Sequence, residues 1–167
     1  MTLTTDNAVL LLIDLQQKLV PVIADGDTMV ARSVRLAEAA QLLDVPVRAT
    51  EQYPAGLGPT VAALAAYPQE TLAKTTFSAA GDPGFAALLP AGTREVVIAG
   101  CEAHVCVLQT ALDLLDSGYR MAVAADAASS RDRADAAAGS ASCTTALTSS
   151  PRSSFGTPMT ATSWTAG

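Results

Sequence analysis

Residues 94–126 read REVVIAGCEAHVCVLQTALDLLDSGYRMAVAAD, and three patterns follow one another in that stretch. Residues 94–99 (REVVIA) read as a strand, with a continuous apolar run at 96–99 after the charged pair Arg94-Glu95. Residues 103–116 set Val107, Ala111, Leu114 and Leu115 on one side of a helix, and Gly118 supplies the stop. Residues 119–124 return to strand. A strand, a helix and a strand in this order make a parallel pair with a right-handed crossover.

The alternation continues outward toward the N-terminus. Residues 8–14 (AVLLLID) are another continuous apolar run. Over residues 27–44, Val30, Val34 and Ala37 and then Leu36, Ala40 and Leu43 recur at helical spacing, and Val45-Pro46 ends the helix. A second strand is predicted at 46–50, a Pro- and Gly-rich loop at 54–59 and a short helix at 60–66. A third strand follows at 71–75 and a helical turn at 84–89. Five strand–helix alternations predict an α/β fold: a doubly wound, mainly parallel open sheet with helices on both faces. Ligands bind such sheets at the carboxyl ends of the strands, so chemistry is expected where the first, third and fourth strands finish.

Composition narrows the functional classes. The 167 residues carry 10 Lys+Arg against 16 Asp+Glu, a net charge of −6, and half are hydrophobic. That suits one domain with a substantial core. The acidic balance speaks against nucleic acid or an anionic membrane as partner, since both need a basic face. The apolar run at 8–13 is too short to span a bilayer and no charged leader precedes it. Three Cys at spacings of 5 and 37 match neither a disulfide framework nor a zinc site. A soluble protein of the reducing cytoplasm is expected.

The chain changes character near residue 139. Residues 140–167 hold 14 Ser or Thr, no acid, and Leu147 alone of the Leu, Ile and Val group. Such a segment offers little apolar area against its ordering entropy. The expected organisation is a domain over 1–139 followed by an atypical Ser/Thr-rich segment over 140–167.

Three reactive side chains stand at the strand ends: Asp14, Lys74 and Cys106. Singly each has an ordinary explanation: a helix cap or ion-pair partner for Asp14, a surface amine for Lys74, a small buried hydrophobe for Cys106. Together they hold what an activated thiol needs, a base and a positive neighbour. Cys106 also falls in the first turn of a helix, where the dipole favours a thiolate, so fast alkylation near neutral pH is expected. His104 lies two residues from Cys106 and on a helix faces nearly the opposite way. Gly56-Leu57-Gly58 lacks the strand–turn–helix setting of a dinucleotide site, which disfavours a redox reading.

The segments LLLIDLQ around Asp14, AKTTFSA around Lys74 and GCEAHVCVLQTALDLL around Cys106 resemble the isochorismatase-like cysteine hydrolases in order and separation. TEQYPAGLGPT (50–60) and DAASSR (126–131) resemble the subgroup of isochorismatase domain-containing proteins. The resemblance covers about residues 8–133. It implies Cys106 as nucleophile, Asp14 as general base and Lys74 as supporting cation, acting on a small amide-like or ester substrate through a thioester. It further implies an oxyanion hole from the backbone N–H groups of Glu102 and Cys106, a non-proline cis peptide at Cys101–Glu102, and self-assembly into a homo-oligomer. Gln16, Glu51, Gln52, Tyr53 and Phe77 are the candidate pocket lining. Glu102 is either a second pocket acid or a helix cap.

Nicotinamidases of the superfamily bind a metal through an Asp-x-His motif, but residues 49–53 here read ATEQY. No metal or other cofactor is expected. A catalytically silent binding or oligomer-forming member of the same fold is the alternative. The family's usual last helix and sixth strand are not evident after residue 139. The codons of 139–153, read from their third bases, permit LGVMHDGAHVVTTE, which resembles those missing elements. A shifted reading frame from about residue 138 is therefore expected.

Overall fold

The computed structural model describes residues 4–149. Five strands form one sheet: β1 (Ala8–Ile13), β2 (Val47–Gln52), β3 (Glu70–Lys74), β4 (Glu95–Cys101) and β5 (Arg120–Ser129). Their order is β3-β2-β1-β4-β5 and every pairing is parallel. Between β1 and β4 the winding reverses, which opens a crevice at the carboxyl ends of those two strands.

All six residues of β1 are buried because both sheet faces are covered. Leu10 and Leu12 belong to the core that includes Leu36, Ala37 and Ala40 of helix α1 (Gly26–Leu42). Val9, Leu11 and Ile13 point the other way, into a core with Phe85 and Leu88 of α3 (Phe85–Leu88) and Ala111 and Leu114 of α4 (Leu108–Asp116). One more turn of helix, α2 (Pro54–Leu57), interrupts the stretch read as loop.

Where a helix over 60–66 is expected, only turns form, at residues 62–66. Thr60 is pinned by a bridge to Gln16 and by Glu51, which holds the segment extended at its start. The helix expected over 103–116 is split: Ala103–Val107 is a π-turn, with α4 beginning at Leu108. β5 runs further than predicted and is irregular. Ile98 pairs with Val123 but Gly100 pairs with Ala128, so β5 bulges against β4.

The largest departure is at the composition boundary. Helix α5 (Arg133–Ser149) runs straight through residue 139. Small residues make this feasible. A Cβ on Gly139 would lie 2.5 Å from the Ala103 carbonyl carbon and 2.6 Å from the His104 nitrogen, so glycine lets α5 sit directly on the π-turn. Cys143, one turn on, is buried. The Thr144 and Thr145 hydroxyls bond back to the carbonyls of Ser140 and Ala141. The sixth strand expected from the shifted-frame reading lies outside the described residues. Among the described residues no helix is long and apolar enough to cross a membrane.

Candidate active site

β1 delivers Asp14 at its carboxyl end with a φ of 54°, a left-handed conformation that Asp tolerates better than most residues. Its side chain is fully out of water. Thr50 Oγ1 donates to Asp14 Oδ1 at 2.7 Å, and Lys74 Nζ donates to Oδ2 at 2.8 Å. Lys74, the last residue of β3, is equally enclosed. Its ammonium also meets Gln52 Oε1 at 2.7 Å, the Thr76 carbonyl at 3.2 Å and the Phe77 carbonyl at 3.3 Å. A lysine so far from water is uncommon and persists where it is paired and fully hydrogen-bonded.

Cys106 arrives from the other side of the crevice. The close approach of β1 and β4 depends on Gly100, at φ 138°, where a Cβ would run into the Ile13 carbonyl. After Cys101 comes a cis peptide to Glu102, and then the π-turn that carries Cys106. The Cys106 thiol hydrogen-bonds the Asp14 carboxylate and receives the Glu102 backbone N–H. The structure thus brings Asp14, Lys74 and Cys106 to one rim of the sheet.

The thiol's acidity is opposite to the expectation from a helix terminus. Burial first, and then the Asp14 charge, push it up to about 12; Lys74 and the Glu102 amide pull the other way and do not prevail. In the resting site Cys106 is a neutral thiol.

The candidate lining residues divide. Gln52 holds the Lys74 ammonium. Tyr53 (59% exposed) and Phe77 (58%) flank Lys74, Tyr53 through its amide on the Lys74 carbonyl at 2.9 Å and Phe77 through its own carbonyl on the ammonium. Glu51 is placed elsewhere: strand alternation turns it to the face opposite Thr50 and Gln52, where it accepts from the Thr60 amide and hydroxyl at 2.7 and 2.9 Å. Gln16 is an anchor, not a lining residue. Its amide is used up by Gln52 N–H (2.8 Å), Gln52 carbonyl (3.0 Å) and Gly58 carbonyl (2.7 Å).

Glu102 is neither a free pocket acid nor a side-chain cap; its carboxylate takes Arg131 Nε at 2.6 Å. His104 turns away to Ser130 Oγ at 2.8 Å. Sequence reasoning missed Thr50, although its parity with Gln52 on β2 was a usable signal. Among the described residues no group of three His, Cys, Asp or Glu side chains is arranged to hold a metal ion.

The isochorismatase domain profile matches residues 8–162. The chain belongs to the isochorismatase family. Isochorismatase domain-containing protein 2 of Danio rerio is 40% identical over 134 residues, covering 80% of this chain and 68% of that protein. The human isochorismatase domain-containing protein 2 is 44% identical over 131 residues, 77% of this chain and 63% of that protein. The match thus spans roughly two thirds of the length of these relatives. Among solved structures, the MAR1 ribonuclease of Caenorhabditis elegans superposes with a TM-score of 0.85 at 33% identity, covering 98% of this chain and 81% of that one. The family resemblance and the doubly wound α/β fold read from the sequence are both established, with five strands among the described residues where about six were expected.

Proposed function

We propose that this member of the family is a cysteine hydrolase that opens a small amide or ester through a thioester on Cys106. The observation that carries the reading is one enclosed carboxylate, Asp14, bonded at once to the Lys74 ammonium at 2.8 Å and to the Cys106 thiol. With the thiol pushed up to about 12, free thiolate does not accumulate. The proton passes to Asp14 as sulfur bonds to the carbonyl carbon. Backbone N–H groups of Glu102 and Cys106 receive the oxyanion. Protonated Asp14 then gives its proton to the leaving nitrogen or oxygen as the old bond breaks. Water, deprotonated by Asp14, attacks the thioester and frees the acid and the thiol.

Lys74 supplies the positive charge locally, so this scheme needs no metal. Its three N–H donors face four oxygen acceptors within 3.3 Å, which leaves no donor to spare for a substrate anion. That favours an uncharged carbonyl compound. The name of the C. elegans relative points to RNA, but phosphodiester recognition calls for available cations, and here the net charge is −6. Self-assembly, as the family resemblance implies, belongs to the same proposal and is read by light scattering.

The test is p-nitrophenyl acetate with intact-mass detection. Acetyl should appear on Cys106, vanish in Cys106→Ala, and form at least about 10⁴-fold more slowly in Asp14→Asn. Acetylation confined to other residues, or insensitive to Asp14, would leave the silent-protein alternative standing.

A further inference from the structure

The DAASSR stretch at the end of β5 is not used by the reaction as described, yet it is fastened to the nucleophile's corner. On one side Ser129 Oγ donates to the Ala24 carbonyl at 2.7 Å, and the Ala24 amide donates to the Ser130 carbonyl at 2.9 Å. On the other, Ser130 Oγ meets His104 Nδ1 at 2.8 Å. Arg131 donates twice to Glu102, from Nε to Oε1 at 2.6 Å and from its backbone N to Oε2 at 3.3 Å.

Glu102 is therefore held at two of its three polar parts. Its carboxylate is clasped by Arg131, and its carbonyl accepts from the amides of Val105 and Val107, each at 3.1 Å. The third part, the backbone N–H, is directed at the Cys106 sulfur. The Glu102 side chain is 7% exposed while that of Arg131 is 68% exposed. An exposed ion pair ordinarily contributes little. Here one partner is enclosed, so losing the guanidinium leaves the buried carboxylate with only the residue-131 amide at 3.3 Å and the His104 ring, whose Nδ1 is 3.8 Å from Oε2. That carboxylate would turn toward water and carry its own amide with it.

We propose that Arg131 is a positioning residue that aims the Glu102 amide at the reacting carbonyl oxygen. It touches neither substrate nor sulfur and acts through Glu102. The inference rests on the hydrolase reading above. It predicts a split between two reactions of the same thiol. Attack on an ester carbonyl builds an oxyanion and needs the amide in place. Displacement of iodide from iodoacetamide forms a carbon–sulfur bond at a saturated carbon and builds no oxyanion.

The full chain and its Arg131→Met and Arg131→Lys variants would be followed by intact mass with p-nitrophenyl acetate and, separately, iodoacetamide. Arg131→Met should acetylate Cys106 about tenfold more slowly, short of the 10²–10³ that outright loss of a donor costs, with alkylation held within about twofold. Arg131→Lys, which keeps the charge, should recover part of the acetylation rate and covers the case in which the Met variant folds poorly. Equal slowing of both reactions would mean general loosening, and no slowing would mean the amide is placed without Arg131; either overturns the assignment. A wild-type chain that alkylates at Cys106 but never acetylates there would instead remove the hydrolase reading, and this inference with it.

Discussion

The two banks of the crevice are built on different principles. On the β1–β3 bank, Asp14, Thr50, Gln52 and Lys74 form a cluster of side chains in which a carboxylate and an ammonium neutralise each other out of water. On the β4–α5 bank the important groups are a neutral thiol and a backbone amide, placed by a cis peptide, a π-turn and glycine-mediated contact. The first bank holds charge before any substrate arrives. The second holds geometry. A hydrolase needs both, because preorganised charge assists proton transfer only where the carbonyl is already aligned with the sulfur.

The contrast is broken most severely by removing one charge from the first bank. Lys74→Met leaves the enclosed Asp14 carboxyl without its counter-charge, with Thr50 and the thiol as its remaining hydrogen-bond partners. The expected cost is about 3–5 kcal/mol of unfolding free energy, read by urea denaturation. Asp14→Asn combined with Lys74→Met should recover part of that loss, since it removes the stranded charge. A single-variant cost below about 1 kcal/mol would mean that the pair reaches water and that the two banks do not differ in this way.

The second bank should respond to shape. Gly139→Ala improves intrinsic helix propensity by up to about 1 kcal/mol. The new Cβ nevertheless meets backbone atoms of Ala103 and His104 at 2.5–2.7 Å, which cannot swing aside like a side-chain tip. Net destabilisation of about 1–3 kcal/mol is expected, with slower acetylation of Cys106. A more stable variant would show that α5 is not seated on the π-turn.

What was legible in the sequence follows the same division. The apolar runs of β1 and β4 announce strands buried on both faces, and the strand-end rule then places Asp14, Lys74 and Cys106 together. Parity within a strand was harder to read. Thr50 and Glu51 are adjacent, and only the register of β2 decides which of them meets Asp14. The Ser- and Thr-rich composition after residue 139 suggested a segment with nothing to bury. Gly139 and Cys143 show instead that small residues can seat a helix by close approach, with little apolar area. The acidity of Cys106 was read with the wrong sign because a helix terminus is visible in sequence, whereas the depth of burial that outweighs it is not.

That burial has a consequence at high pH confined to the second bank, where all three thiols lie: Cys101 on β4, Cys106 on the π-turn and Cys143 on α5. Burial pushes Cys143 up to about 11 and Cys106 to about 12, and raises Cys101 well above its ordinary 9.0. From about pH 9 the unfolded chain gives up thiol protons that the folded chain keeps. The stability these thiols contribute is therefore complete below pH 9 and drains as pH rises toward the folded values, by roughly 1.4 kcal/mol per thiol per pH unit. Urea melts at pH 8 and pH 10 should show the fall. Cys143→Ala, whatever it does to stability at pH 8, should lessen the drop between the two pH values, because one of the three titrating thiols is gone. An unchanged drop would mean that Cys143 gives up its proton as readily in the folded chain as in the unfolded one, and that α5 does not enclose it.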